Sequence, residues 1–393
     1  MTRHRVVVIC NALDDATRIE RGITTDSPAA SRKVLQLCAA LRQAGLRPCV
    51  LSLGRGRADG SAAYHPRRVR RVAGVPVIYA PFSRRRGWSE LLSLLAPVGI
   101  ARRLATPGHR ALVFYNRQAA YLPTLVAAAL FGYRRVLDLE DGEIDLAQRG
   151  WSRWRSAALR TVYDHLCSAG ALLACSALSA MTRIRPVQCY YGIAAPSDDA
   201  ARWHPGPVTA MLGGTLDPET GVDLLIEAVQ QMRVRRQGWE SQLRIEITGK
   251  GSSLAALTAL AASDLPPQVV VHGRLTDREY RAVVSRCDVG MALKPNGGAL
   301  AHTTFPSKVV EMASAGMLVL STDISDVRAV LGDGALYLQQ DDPAALVAHL
   351  QRIVEHRSAA RRMAQAGQAA VLARCAPGPA GHAVGQFIFG LNP

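Results

Sequence analysis

The chain has 393 residues, more than one ordinary core needs, and this length suits two domains of roughly 150–200 residues each. Apolar residues make up 49% and charged residues 20%, which excludes a disordered chain. The eight cysteines are scattered, without a C-x-x-C pair or metal-ligand spacing to histidine, so we expect reduced thiols in a cytoplasmic protein. No apolar run reaches the ~20 residues of a membrane span, and the first residues lack the apolar core of a signal peptide.

The net charge of +16 is concentrated in the first half of the chain. Residues 1–200 contain 29 Lys and Arg against 14 Asp and Glu, a net charge of +15, whereas residues 201–393 contain 18 against 17. Compositional drift toward arginine should affect both halves equally. We therefore expect an anionic partner for the first half: nucleic acid, a membrane surface or a phosphorylated substrate.

Short β-rich runs alternate with helical patterns along the whole chain. Strand-like runs lie at 5–10, 49–54, 75–80, 111–116, 136–141 and 172–176, and then at 208–213, 243–249, 268–273, 288–293, 317–322 and 335–339. Helical patterns include 31–45 and 222–232, and the apolar run 119–133 is typical of a buried helix. This alternation predicts an α/β fold of two doubly wound Rossmann-like domains with parallel sheets facing across a cleft.

The domain limits follow from the same pattern. We expect a first domain over 1–191, a Pro-, Ala- and Asp-rich linker and hinge over 192–207, and a second domain over 208–376. The tail 377–393 is expected to pack back on the first domain. Ligands of open α/β sheets bind beyond the carboxyl ends of the strands, so the chemistry is expected there.

Three glycine-containing strand–helix junctions of the second half are candidates for anion binding. They are GGTLDPETG (213–221), TGKGSS (248–253) and KPNGGALAHTTFPSK (294–308). Glycine lets the backbone approach a ligand closely, and the start of the next helix offers free N–H groups. A diphosphate is the natural occupant of such junctions.

The stretch TTFPSKVVEMASAG (303–316) carries the most specific signal. Pro306 suits a first helical turn and Thr304 a helix N-cap, so that Ser307 and Lys308 would present a hydroxyl and a cation to a phosphate. Glu311 follows one turn later on an apolar helix, where a carboxylate can accept hydrogen bonds from the two hydroxyls of a ribose. An ion pair between Lys308 and Glu311 on a solvated helix face is the simpler alternative.

These residues resemble the nucleotide-sugar glycosyltransferases of family 4, which have the GT-B architecture. The likeness rests on GTLDPETGVDLLIEAV, TGKGS, GRLTDREYRAVVSRCDVGMAL and FPSKVVEMASAGMLVLSTDISDVRAVL, and is looser over the first half. It implies a retaining transferase whose second domain binds the sugar nucleotide and whose first domain binds the acceptor. It also implies that Glu311 holds the ribose, that the Pro306–Ser307–Lys308 turn faces the phosphates, and that Gly249, Lys250 and Gly251 lie near the nucleotide.

The sequence departs from the family pattern at three threonines. Thr303 stands where the first of two paired glutamates is usual, and Thr215 and Thr220 stand where the first loop usually carries basic residues. The donor phosphates would then be met by Lys250, Arg274, Lys294 and Lys308. The full set of predicted substrate-binding residues is Gly22, Gly214, Thr215, Thr220, Gly249, Lys250, Gly251, Arg274, Lys294, Asn296, Gly297, Thr304, Phe305, Pro306, Ser307 and Glu311, with Lys308 predicted to be catalytic.

Two stretches of the first half are candidates for the acceptor side. In RGITTDSPAASRKVLQL (21–37), Gly22, Ser27 and Arg32 could contact the acceptor or the donor phosphates, or could belong to an ordinary helix start. In LDLEDGEID (137–145), Glu140 or Asp141 is predicted to orient the acceptor hydroxyl or accept its proton.

The carboxylates of LDLEDGEID also allow a divalent-metal site built from Asp138, Glu140, Glu143 and Asp145. The expected two-sheet organisation argues against the transferase fold that uses such a site. We therefore predict no metal and no cofactor.

The stretch RRRGWSELLSLLAPVGIARRL (84–104) has Arg at both ends, Trp88 near one end and a Leu-rich middle. This pattern suits a helix lying in a membrane interface, although Pro97 would kink it or end it early, and it suits a core helix equally well. With RRVRR (67–71), the basic domain could dock on an anionic inner leaflet, where a lipid-linked acceptor would lie.

The sequence thus predicts a hexosyl-transferring glycosyltransferase that moves a sugar from a nucleoside diphosphate to a glycan or lipid-linked acceptor of bacterial surface-glycan synthesis. One alternative is a sugar-nucleotide epimerase or phosphorylase of the same architecture. The other is a basic nucleic-acid-binding protein, which the scarcity of aromatic residues and of any recognisable reading motif disfavours.

Overall fold

The description of the fold covers most of the chain. The computed structural model describes residues 4–59, 63–105, 107–142, 150–194, 203, 205–297 and 301–390, with Asp277 as backbone alone. The chain divides into two units, Met1–Ile193 together with Pro377–Pro393, and Ala194–Ala376. Most of the predicted linker 192–207 lies outside the described residues.

The first unit is built on an eight-stranded sheet. Its strands are β1 (Arg5–Cys10), β2 (Arg47–Ser52), β4 (Arg68–Val72), β5 (Val75–Tyr79), β7 (Arg110–Tyr115), β8 (Arg134–Leu139), β9 (Gly170–Leu173) and β10 (Val187–Cys189), and β3 (Tyr64–His65) pairs separately with β6 (Phe82–Ser83). The order in the sheet is β10-β9-β8-β7-β1-β2-β5-β4, and every pairing is parallel except β4 with β5. The stretch RRVRR (67–71) therefore lies on an antiparallel edge strand.

The helices of the first unit cover both faces of this sheet. They are α1 (Asp15–Glu20), α2 (Pro28–Gln43), α3 (Arg86–Leu104), α4 (Leu122–Leu130), α5 (Trp151–Leu166) and the C-terminal α13 (Pro377–Phe389). The chain runs from β1 through α2 to β2 on one side of β1, and later through α3 to β7 on the other side. Because such crossovers are right-handed, α2 lies on one face of the sheet, and α3, α4 and α5 lie on the opposite face. Contacts of α2 with α13 and of α3 with α4 agree with this division.

The second unit has a six-stranded parallel sheet in the order β13-β12-β11-β14-β15-β16. Its strands are β11 (Val208–Thr215), β12 (Leu243–Lys250), β13 (Gln268–Gly273), β14 (Val289–Ala292), β15 (Leu318–Thr322) and β16 (Ala335–Leu338). Its helices are α6 (Val222–Arg235), α7 (Leu254–Ala261), α8 (Asp277–Arg286), α9 (Lys308–Ser314), α10 (Val327–Leu331), α11 (Pro343–Glu355) and α12 (Arg357–Cys375).

Continuous apolar runs explain why both sheets are parallel and covered on both faces. Val6 to Ile9 of β1 and Leu318 to Leu320 of β15 are fully buried, as expected for strands with helices on either side. The predicted fold of two doubly wound α/β units is confirmed.

One of the two outcomes expected at Pro97 is excluded. Pro97 does not end its helix early, since α3 continues from Arg86 to Leu104 with Pro97 buried inside it. The apolar helix α4 is not fully buried, because Val126 and Leu130 of its outer face are 50% and 82% exposed. Within the described ranges, no helix is long and apolar enough to cross a membrane.

Candidate active site

The topology of the second sheet creates a crevice at one edge. From β11 the chain passes through α6 to β12 on one side, and from β14 it passes through α9 to β15 on the other side. The loops that follow the neighbouring strands β11 and β14 therefore diverge at the carboxyl edge of the sheet. Such a switch point is where open α/β sheets bind ligands.

Lys308, the first residue of α9, reaches back across this switch point to the end of β11. A Cβ atom built on Gly214 would lie 2.8 Å from the Lys308 Cε, and one built on Gly213 would lie 3.5 Å from its Nζ. Because these two positions lack side chains, the lysine can lie over the strand end. Its ammonium is also 5.3 Å from the ring centroid of Tyr280 on α8, a cation–π distance.

Close packing between two loops explains the glycines of the TGKGSS junction. A Cβ on Gly249, whose φ is +140°, would lie 1.8 Å from the carbonyl oxygen of Gly214. A Cβ on Gly251 would lie 2.2 Å from the carbonyl oxygen of Leu216. The two neighbouring loops therefore pack backbone against backbone, and this contact requires glycine whether or not a ligand is present.

Hydrogen bonds stabilise the loop after β11. The Thr220 hydroxyl donates to the carbonyl oxygens of Thr215 and Asp217, at 2.8 and 2.7 Å. The Asp217 carboxylate accepts from the Ser252 hydroxyl and N–H, both at 2.7 Å, and these bonds lower the pKa of Asp217. Thr220 thus stabilises its own loop, whereas Thr215 is exposed at the strand end.

The loop after β14 is hydrogen-bonded to the end of β15 and to residues that follow β16. The Asn296 N–H donates to the Asp341 carboxylate and its side-chain amide donates to the Gln339 carbonyl at 3.2 Å. The Lys294 carbonyl accepts from the Thr322 hydroxyl at 2.6 Å. The side chain of Lys294 is half-buried. Asn296 therefore anchors the loop, and residues 298–300, which follow the exposed Gly297, lie outside the described residues.

The start of α9 differs from the sequence prediction. The N-cap is Ser307, without a side-chain cap bond, and not Thr304. The Pro306 carbonyl accepts from the Val309 N–H at 2.9 Å, so the first turn closes tightly after the proline. Phe305 is buried, and Glu311 lies half-buried one turn after Lys308.

The other predicted cations of this unit lie at the same edge of the sheet. Lys250 is the last residue of β12, opposite Thr215, and its side chain is exposed. Arg274 follows β13 directly and is exposed as well. Both can approach an anion held beyond the strand ends.

In the first unit, Glu140 forms a buried ion pair. Its Oε2 lies 2.5 Å from the Nζ of Lys33 on α2, and the two side chains are only 10% and 13% exposed. Its N–H donates to the Asn116 side chain at 2.8 Å. Burial raises the pKa of neighbouring Asp138, and the charge of Glu140 adds to this shift. Asp141, in contrast, is exposed.

The remaining candidates of the first unit lie near the start of α2. A Cβ on Gly22 would lie 1.8 Å from the Asp59 carbonyl oxygen, because the loop there packs on the segment around Ala58. Ser27 caps α2, with its hydroxyl accepting from the Ala30 N–H at 3.4 Å. Of the carboxylates predicted as alternative metal ligands, Glu143 and Asp145 lie outside the described residues.

Comparisons with known proteins bear on the enzyme class. Residues 206–356 match the family model described as "Glycosyl transferases group 1". No curated protein matched the sequence. The predicted enzyme class, a glycosyltransferase, is confirmed.

Several solved structures share the fold of this chain along nearly its whole length. HepE of Anabaena in complex with UDP has a TM-score of 0.66 at 14% identity, covering 98% of this chain and 100% of that one. Sucrose-phosphate synthase of Thermosynechococcus elongatus has a TM-score of 0.67 at 13% identity, covering 99% of each chain. The UDP-forming trehalose-phosphate synthase of Burkholderia vietnamiensis has 0.66 at 15%, covering 100% and 99%. The GT-B fold is thereby confirmed.

Two features of the glycosyltransferase's site add to the sequence prediction. Tyr280 contributes the ring beside Lys308, and although it belongs to the stretch GRLTDREYRAVVSRCDVGMAL, 28 residues before Lys308, the sequence prediction gave it no role. Among the residues that the structure describes, the hydroxyl oxygens of Thr303 and Thr304 are enclosed and have no hydrogen-bond partner. Enclosed hydroxyls of this kind are rare and are satisfied by a ligand or water at many sites.

Proposed function

We propose that this glycosyltransferase is a retaining enzyme of family 4 that transfers a hexosyl group from a nucleoside diphosphate sugar. The observation that carries the proposal is the position of Lys308, whose ammonium lies over Gly213 and Gly214 at the switch point of the second sheet. A cation at this place can neutralise a diphosphate bound beyond β11 and β14. The sequence resemblance and the match over residues 206–356 support the same assignment.

The proposed chemistry needs few side chains. As the bond from sugar to diphosphate breaks, the glycosyl centre acquires oxocarbenium character and the leaving diphosphate gains negative charge. Lys308 stabilises that charge, with help from Lys250 or Arg274 at the same sheet edge. The acceptor hydroxyl attacks on the face of the leaving group, which takes up its proton, and the configuration is retained.

Glu311 is proposed to bind the ribose of the donor. It follows Lys308 by one helical turn, so both side chains belong to the first turn of α9. A carboxylate there can accept hydrogen bonds from both ribose hydroxyls, while the lysine contacts the phosphates. HepE of Anabaena has been solved with UDP-glucose, and we therefore take a uridine donor as the first candidate.

The acceptor is proposed to be a lipid-linked or polysaccharide glycan of bacterial surface-glycan synthesis, met at the cytoplasmic face of the membrane. The support is the charge of the first 200 residues, which suits an anionic surface. We propose Asp141, the exposed member of the Glu140–Asp141 pair, to orient the acceptor hydroxyl. Glu140 is engaged with Lys33 and would position Asp141.

A thermal-shift screen of UDP-, GDP-, TDP- and ADP-sugars tests the donor assignment. Because a ligand that binds only the folded state stabilises it by about 2.7 kcal/mol at a hundred times its Kd, one donor should raise the unfolding midpoint clearly. Glu311→Ala should abolish that rise. The control is Glu227→Ala, which removes an exposed carboxylate on α6 and should leave the rise intact. An unchanged shift in Glu311→Ala would contradict the ribose contact.

A further inference from the structure

The first unit exposes an unusual amount of apolar surface on three neighbouring helices. Of the thirteen large hydrophobic side chains that are exposed among the described residues, eight lie on α3, α4 and α5. They are Trp88, Leu91, Leu95, Val126, Leu130, Trp151, Trp154 and Val162. Only two of the thirteen lie in the whole second unit. The exposure is therefore concentrated on one face of one sheet, the face opposite α2.

The outer stripe of α3 is apolar where a solvated helix would be polar. Trp88, Leu91 and Leu95 follow one another at helical spacing and are 58%, 43% and 58% exposed. The opposite side of the helix is buried against the unit through Ser93, Pro97 and Ile100. The helix thus presents apolar residues on both sides, which a helix in contact with water alone would not.

The neighbouring helices continue this surface. α4 carries no charged residue, and Leu130 at its end is 82% exposed. On α5, Trp151 and Trp154 are 72% and 60% exposed, and their rings stack with centroids 4.8 Å apart. Tyr163 is the one residue of α5 that is fully buried, so this helix lies outermost on the unit.

Arginines surround the apolar residues. Residues 84–104 and 151–166 contain eight arginines against two acidic residues. Seven of these arginines are exposed: Arg84, Arg85, Arg86, Arg102, Arg103, Arg153 and Arg155. The arginines stand at both ends of α3 and beside the tryptophan pair, and the exposed Glu90 within α3 pairs with Arg86.

We propose that the outer faces of α3, α4 and α5 form a docking surface for an anionic lipid bilayer, called here the lipid face. Tryptophan prefers the boundary between acyl chains and headgroups, and exposed leucines gain free energy by entering it. Arginines around them attract anionic headgroups, each by about 1 kcal/mol near the surface. This proposal rests on the proposed lipid-linked acceptor, because docking brings the enzyme to that substrate.

The arrangement favours lipid over a second protein chain. A second copy would bring its own arginines to such an interface, and the first 200 residues, with a net charge of +15, would repel each other. A bilayer supplies mobile anions that can gather at every arginine. The surface therefore complements a membrane better than it complements itself.

Flotation of the full chain with vesicles tests the lipid face. Vesicles of phosphatidylcholine mixed with phosphatidylglycerol should bind the protein, and pure phosphatidylcholine should bind it far more weakly. Trp151→Ser with Trp154→Ser should weaken the binding to mixed vesicles by about tenfold or more, since the burial of two aromatic side chains is lost. The tryptophan emission of the wild type should shift to the blue on binding, and the shift should shrink in this variant.

A matched pair of single substitutions controls for general surface effects. Leu130 on α4 and Val234 on α6 are both 82% exposed. Leu130→Ser should weaken vesicle binding, whereas Val234→Ser should leave it unchanged. Equal effects of the two substitutions, or unaltered binding in both, would overturn the lipid face. A dimer in vesicle-free solution that Leu130→Ser dissociates would also overturn it, because the surface would then belong to self-association.

The outcome can be separated from that of the proposed function. Donor binding, measured by the thermal shift, should be the same in Leu130→Ser and in the wild type. If the donor binds and the vesicles do not, the lipid face is wrong and the donor site stands.

Discussion

Lys308 is the residue on which the proposed chemistry most depends. Its ammonium is held between the glycine end of β11 and the Tyr280 ring, so it is placed before a donor arrives. When charge develops on the leaving diphosphate, a cation that is already in position stabilises it with little free-energy cost of reorganisation. Lys250, in contrast, lies at the end of β12 with an exposed side chain.

We expect Lys308→Met to lower kcat by about 10²–10³-fold, which is the usual cost of losing one preorganised charge-stabilising group. The side-chain length is retained, so the unfolding midpoint without donor should change little. Lys250→Met, which removes the same charge from an exposed position, should have a smaller effect. Steady-state kinetics with the donor found in the thermal-shift screen measure both. A rate in Lys308→Met within a factor of three of the wild type would contradict the assignment.

At the scale of the elements, Glu246 joins three parts of the second unit. This fully buried carboxylate on β12 accepts hydrogen bonds from Arg244 of the same strand, His272 of β13 and Arg286 of α8. Burial alone would raise the pKa of Glu246, but the bonds from Arg286, His272 and Arg244 outweigh it and lower the pKa to about 2. The cluster attaches α8, and with it Tyr280, to the sheet beneath the site.

We expect Glu246→Gln to lower the free energy of unfolding by about 2 kcal/mol at neutral pH, after discounting for the partial exposure of Arg244 and Arg286. A carboxylate whose pKa is lowered by folding stabilises the protein above its unfolded value of about 4.5, and this contribution is lost as the pH falls toward 2. The difference in the free energy of unfolding between the wild type and Glu246→Gln should therefore become smaller below pH 4.5. Urea unfolding at several pH values measures this difference. A difference that does not depend on pH would contradict the stabilising role of the ionised Glu246 carboxylate.

At the scale of the whole molecule, the two halves of the chain differ in charge and in exposed apolar surface. The first 200 residues carry nearly all of the net charge, and the first unit carries the lipid face. The second unit carries the candidate donor site. This separation indicates that attraction to a surface and recognition of a sugar nucleotide depend on different parts of the chain.

We therefore expect salt to weaken vesicle binding more than donor binding. Raising the ionic strength from about 0.1 to about 1 M shortens the Debye length from about 10 to about 3 Å, so vesicle binding should fall by at least about tenfold. The thermal shift with a saturating donor should persist. Duplex DNA that displaces the protein from vesicles at equal charge concentration would favour the nucleic-acid alternative instead. If salt weakened vesicle binding and the donor-induced thermal shift equally, the two functions would not depend on different parts of the chain.

The sequence by itself determined the fold class, because apolar runs such as Val6–Ile9 are intrinsic to buried parallel strands and helical spacing is a local property. It also indicated Lys308 and Glu311 through a motif of a few residues. Only the tertiary structure decided what depends on distant parts of the chain: Tyr280 beside Lys308, Lys33 pairing with Glu140 across 107 residues, and the outward stripe of α3. An apolar helical pattern does not state which side the rest of the molecule covers. Contacts between distant segments are set by how the elements pack, and no local pattern encodes them.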